Sequence, residues 1–143
     1  MSAVALLARR DFASGELRQK LESEGYDASV VTTVVTELMS ERALDDGRYA
    51  ENYVAYHSGR GQGPLRIAGD LRALGVSGDV IEAALAGGPD WRELAREVRT
   101  RKFGAESPED GTERTRQARF LQYRGFSSDH IRAATGADFD PDS

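Results

Sequence analysis

The pattern Leu-x-x-x-Gly-apolar occurs three times at a spacing of fifty residues: "LESEGY" at 21–26, "LRALGV" at 71–76 and "LQYRGF" at 121–126. Between 71–85 and 121–135, seven of fifteen positions are identical. Gly25, Gly75 and Gly125 each end a helical pattern, where the closing residue adopts a left-handed backbone that Gly reaches at least cost. Tyr26, Val76 and Phe126 follow as the apolar residue that packs back on the helix just ended. Asp27, Ser77 and Ser127 are then N-caps of the next helix, with Val31, Ile81 and Ile131 as its first inward anchors. Each copy is a tight helix–turn–helix corner. A corner repeated at fixed pitch predicts a tandem array, because units this small must bury apolar faces against their neighbours.

The rest of the chain supports an all-α reading. "SVVTTVVTELM" (29–39) is rich in β-branched residues, which by propensity alone favour a strand. Its apolar residues Val30, Val31, Val34, Val35, Leu38 and Met39 nevertheless form one helical stripe. Leu17 and Leu21 share a face behind Ser14 as a candidate N-cap. Tyr49, Tyr53 and Tyr56 recur at helical spacing, flanked by Ala50, Val54 and His57. Pro64 suits a first helical position, with Ile67, Leu71 and Leu74 on one side. Asp90 caps a stripe of Trp91, Leu94, Ala95 and Val98, and Ala118 meets Leu121. No stretch offers a strand pair or hairpin turn. Each period therefore holds three helices, giving three-helix repeats at 1–44, 45–89 and 90–136, followed by a flexible acidic tail, 137–143.

Composition narrows the function. The 143 residues include no Cys, which excludes a disulfide scaffold, a thiolate zinc site and a thiol nucleophile. No apolar run approaches the roughly 18 residues of a membrane span, and "MSAVALLARRDF" is too short for a signal peptide. A soluble cytoplasmic protein is expected. Net charge is −5, unlike the strongly basic balance of a duplex-DNA binder, although residues 89–135 carry a small positive excess.

Enzyme chemistry finds little support. His57 and His130 stand alone, without carboxylates at metal-ligand spacing. Asp45 and Asp46 read as helix caps at the start of the second repeat. "GRGQGP" (59–64) lacks the Lys-Ser/Thr ending of a phosphate loop and has no strand before it; it reads as a helix link. The tyrosine stripe and Trp91 read as packing. No cofactor and no metal is expected. The arginines leave two readings open. Arg92, Arg96 and Arg99 make one helix face basic, and Arg116, Arg119 and Tyr123 cluster on another with Arg124 beside them. They form either a partner- or anion-binding face or ordinary surface pairs with Glu93, Glu97 and Glu113.

The motifs "SGELRQKLESEGY" (14–26), "LDDGRYAENYV" (44–54), "GQGPLRIAGDLRALGV" (61–76) and "RFLQYRGFSSDHI" (119–131) together resemble the RecX regulatory proteins, bacterial modulators of the RecA recombinase. The resemblance covers all three repeats. It implies three tandem three-helix repeats in a curved, elongated monomer that binds the RecA filament on single-stranded DNA. It further implies suppression of the filament's ATPase and strand exchange, with consequences for recombination, repair and the SOS response, and no active site. The chain departs from the family pattern in two places: Met1 opens inside the first helix without the extension of many members, and Ala43 replaces a frequent aromatic. For contact with partner or DNA, Arg116, Arg119, Tyr123 and Arg124 are the leading candidates, with Arg66, Arg72, Arg96, Arg99 and Lys102 secondary. The alternative is a freestanding helix-turn-helix protein that binds nucleic acid.

Overall fold

The computed structural model describes residues 2–137, and these form nine α-helices and no strand. The helices are α1 (Ala3–Arg9), α2 (Ser14–Ser23), α3 (Ala28–Ser40), α4 (Asp46–Gly59), α5 (Pro64–Ala73), α6 (Gly78–Ala86), α7 (Trp91–Phe103), α8 (Gly111–Arg124) and α9 (Ser128–Thr135). The expected acidic tail lies outside the described residues from 138 onward. The β-branched segment is helical as its periodicity demands: α3 buries Val31, Val35 and Leu38, while Val30 and Met39 at the edge of the stripe stay exposed.

All three corners close by the same bonds. Gly25, Gly75 and Gly125 have φ of +96°, +84° and +100°. The N–H groups of Tyr26, Val76 and Phe126 donate to the carbonyls of Leu21, Leu71 and Leu121 at 3.3, 3.0 and 3.1 Å. The glycine N–H groups donate to Glu22, Arg72 and Gln122 at 3.0, 3.0 and 2.9 Å. These paired bonds satisfy carbonyls that a helix end otherwise orphans. The residue after the glycine differs, however. Val76 and Phe126 are 4% and 1% exposed, whereas Tyr26 is 45% exposed. Tyr26 does not pack back as expected, because the first corner is open.

Contacts divide the chain into two compact units. The first comprises the chain up to Asn52 together with Asp70–Ala86; the second comprises Tyr53–Gly69 and the chain from Gly87 on. In the first, Leu6, Phe12, Leu17, Leu21, Val31 and Val35 anchor one core, each such side chain contributing about 1.5–3 kcal/mol by leaving water. Ser2 caps α1 through the Ala5 N–H at 3.2 Å. Ser14 is not the N-cap of α2 but its first residue, because Ala13 takes the cap position. The cap comes from afar: Asp46 at the start of α4 accepts from the Ser14 N–H at 2.7 Å and from its hydroxyl at 2.6 Å. Asp45 alone caps α4, accepting from the Arg48 N–H at 3.0 Å. A Cβ on Gly15 would lie 2.8 Å from the Gly75 Cα, so the second corner seats directly on the start of α2.

The second unit repeats that arrangement. The Gly63 N–H donates to the Arg124 carbonyl at 2.8 Å, and the Leu65 N–H to the Gly125 carbonyl at 2.9 Å. A Cβ on Gly63 would lie 2.5 Å from the Gly125 carbonyl carbon. Gly63 therefore serves more than a clean start before Pro64; it lets two backbones touch. Ala95, Val98, Ala118, Leu121, Phe126 and Ile131 form the core beneath. Asp90 caps α7 and Asp110 caps α8, through the N–H groups of Glu93 and Glu113 at 3.2 and 2.8 Å.

Candidate functional site

The second unit holds most of the sequence candidates, and the docked corner sets their positions. By fastening the start of α5 to the end of α8, it brings Arg66 over the Tyr123 ring, 5.8 Å from its centroid. Tyr123 is 77% exposed and Leu65, beside Arg66, 59%. Large apolar groups left in water next to cations are a feature of contact surfaces. Arg119 is exposed and makes no hydrogen bond or ion pair among the described residues.

A row of cations and rings continues across α7 and α8. Phe103 and Phe120 meet edge to face at 5.4 Å. Arg116 lies over Phe103 at 4.9 Å, and Lys102 and Arg124 lie over Phe120 at 5.6 and 5.4 Å. Arg116 is also engaged by Glu113 through two bonds of 2.9 and 2.7 Å. That guanidinium, with help from Gln117, pulls the Glu113 carboxyl down to about 2, and Glu113 in turn raises the already high Arg116 value.

Other candidates are spent on structure. Arg92 pairs with Asp129 at 2.5 Å, and Arg96 donates to the Ala133 carbonyl at 3.3 Å and to Glu93 at 3.2 Å. Arg99 is 6% exposed. Its guanidinium donates to the carbonyls of Glu106 and Gly104 at 3.1 and 3.2 Å and to Gln117 Oε1 at 3.2 Å. The expected basic face of α7 is therefore taken up by α8, α9 and the loop after α7. Arg72 is exposed on the portion of α5 that belongs to the first unit.

Sequence reasoning missed Arg60 and Arg101. Both line a hollow of ≈ 190 Å³ with Lys102 and Arg124, walled by Val98 and Phe120. Arg60 stood in "GRGQGP" and Arg101 next to Lys102; the 92/96/99 periodicity drew attention to the opposite side of α7. Among the described residues no three His, Asp or Glu gather at metal-binding distance. No helix there is long and apolar enough to cross a membrane. His57 is half-buried against Tyr53 and Tyr56, with ring centroids 4.1 and 5.0 Å away. His130 caps α9 with Ser127.

Three family models match in series: the first three-helix domain of RecX at residues 1–38, the second at 45–85 and the third at 90–135. The chain belongs to the RecX family. It is 48% identical over 137 residues to the Regulatory protein RecX of Halorhodospira halophila (strain DSM 244 / SL1), covering 95% of this chain and 85% of that one. It is 42% identical over 134 residues to the Regulatory protein RecX of Vibrio vulnificus (strain CMCP6), covering 93% and 88%. The crystal structure of RecX from Lactobacillus salivarius superposes with a TM-score of 0.80 at 21% identity, covering 92% of this chain and 88% of that one. A second RecX crystal structure gives a TM-score of 0.76 at 22% identity, covering 92% and 66%. These two likenesses bear on the fold, which is the RecX arrangement of three-helix domains.

Proposed function

We propose that this chain binds the RecA filament on single-stranded DNA and suppresses its ATPase and strand exchange, acting as a cytoplasmic monomer without catalysis of its own. Family membership and the regulatory name its relatives carry support the reading. The observation that carries it is the open surface of Leu65, Arg66, Arg119 and Tyr123, a cation–aromatic patch built by the docked third corner. Such surfaces supply both the apolar anchor and the guanidinium that dominate protein interfaces. The freestanding nucleic-acid-binding reading fits a net charge of −5 less well.

The test is inhibition of the cognate recombinase's DNA-dependent ATPase by the wild-type chain and by Arg119→Glu combined with Tyr123→Ala. Wild-type inhibition that the double variant loses by tenfold or more, with an unchanged helical spectrum, supports the assignment. No inhibition by the wild type overturns the function. Equal inhibition by the variant overturns the surface.

A further inference from the structure

The second and third corners are each covered by the start of the middle helix of the preceding repeat. On the second, a Cβ on Gly15 would lie 2.8 Å from the Gly75 Cα and 3.1 Å from the Leu74 carbonyl oxygen. On the third, the N–H groups of Gly63 and Leu65 donate to the carbonyls of Arg124 and Gly125 at 2.8 and 2.9 Å. Both joints put a glycine at the closest approach. The third also gives donors orphaned at a helix start their acceptors.

The first corner has the same backbone and no such cover. Residues 22–30 are exposed throughout, and nothing lies within 4 Å of a Cβ built on Gly25. Beside it Val4, Leu21, Tyr26, Val30 and Val34 line the hollow of ≈ 240 Å³. Val4, Val30 and Tyr26 are 70%, 53% and 45% exposed, apolar surface gathered in one place next to a ready joint.

Charge decides what can cover it. The middle helix of the third repeat is the chain's own unused counterpart, and nothing lies within 4 Å of a Cβ on its Gly111. A second copy offering that start would build an open head-to-tail array. It would, however, bring Glu109, Asp110 and Glu113 against Glu22, Glu24 and Asp27, and like charges across an interface suppress a partner. Lys20 reaches Glu24 at 3.8 Å, so the rim stays acidic at Glu22 and Asp27. A helix start carries partial positive charge, and added Arg or Lys suits this rim further.

We propose that the first corner docks the basic, glycine-opened start of a helix from another protein. The partner's glycine lies on Gly25, and an aliphatic side chain just after it enters the hollow, whose volume equals about eight waters. An Arg or Lys in the partner's first turn meets Glu22 and Asp27. This site is separate from the Arg66–Tyr123 surface and goes beyond the filament reading, so it is tested without the recombinase.

The probe is a capped peptide of residues 60–74, RGQGPLRIAGDLRAL, which holds the segment that covers the third corner. Titrated into the isotope-labelled full chain, it should move the amide signals of Gly25, Tyr26 and Val30 to saturation. Val4→Glu combined with Val30→Glu should weaken binding by about tenfold or more. Both positions are exposed, so the helical spectrum should persist. Glu22→Lys should weaken binding severalfold at low salt, and a peptide carrying Gly63→Val should bind about tenfold less well. An absence of shifts overturns the proposal. So does binding that the Val4/Val30 variant leaves unchanged, or shifts confined to 124–126, where the peptide would be displacing α5. Tighter binding by the peptide 108–122, with self-association in sedimentation that Val30→Glu abolishes, overturns it in favour of a second copy.

Discussion

The first and third corners share one local structure and differ in what lies against it. Gly25 and Gly125 have φ of +96° and +100° and close their helices with the same two bonds. Nothing lies within 4 Å of a Cβ built on Gly25, whereas one on Gly125 would strike the Cβ and N of Arg66. A glycine required only by backbone conformation and one required also by contact look alike in sequence. The difference is set by a residue far upstream, since Gly63 makes room for the third corner and Gly15 for the second. The first corner has no counterpart, and Tyr26 stays in water beside a hollow of ≈ 240 Å³ lined by Val4, Val30 and Val34.

Substitutions can break this comparison, and Gly125→Ala should have the largest effect. It adds about 1–2 kcal/mol of left-handed strain to roughly 1–3 kcal/mol of overlap, read as a lower urea midpoint. Gly63→Ala carries the overlap alone and should cost about 2 kcal/mol by the same measurement. Gly25→Ala carries the backbone strain alone, about 1 kcal/mol. If Gly25→Ala destabilises as much as Gly125→Ala, the contact contributes nothing and the distinction collapses.

The smallest effect separates the caps that follow the two corners. His130 Nδ1 accepts from the Ser127 N–H at 3.3 Å, and the Ser127 hydroxyl accepts from His130 N–H at 3.3 Å. Burial pushes the His130 value down, opposed by Asp129 and Asp90 and aided by Arg92. The fold thus favours the neutral ring. Its stabilisation is complete above the ordinary value near about 6.5 and is lost as pH falls through the depressed one. Asp27 is lowered instead by the Ser29 N–H and then the Ser29 hydroxyl. Its contribution holds above the ordinary value of about 3.9 and is lost only as pH falls further. Amide shifts at Ser127 and His130 should move as pH falls below the ordinary imidazole value of about 6.5, while that of Ser29 should stay still until pH falls below the ordinary carboxylate value of about 3.9. Simultaneous titration would show that the His130 contact is not made.

Helices, caps and corners were legible because each is written in a few consecutive residues: Gly125 with Phe126, Asp90 before Trp91, Pro64 opening α5. What was not legible depended on pairing at a distance. Ser14 looks like a cap until Asp46 supplies one from the next repeat. Arg92, Arg96 and Arg99 look like a basic face until α9 and the loop after α7 take them up. Arg60 joins Arg101 only because α4 ends against α7, and no periodicity within one helix carries that information.

The Asp46–Ser14 bond and the Gly15–Gly75 contact bear on how such a chain is cut and copied. A fragment ending at residue 44 would respect the sequence period but lose both the carboxylate that completes α2 and the backbone that rests on it. The sequence period and the compact unit are therefore out of phase. Hydrogen exchange should open residues 70–86 together with the first helices rather than with their own repeat. A gene that gained or lost one period would have to rebuild a cooperative block on each side of the splice.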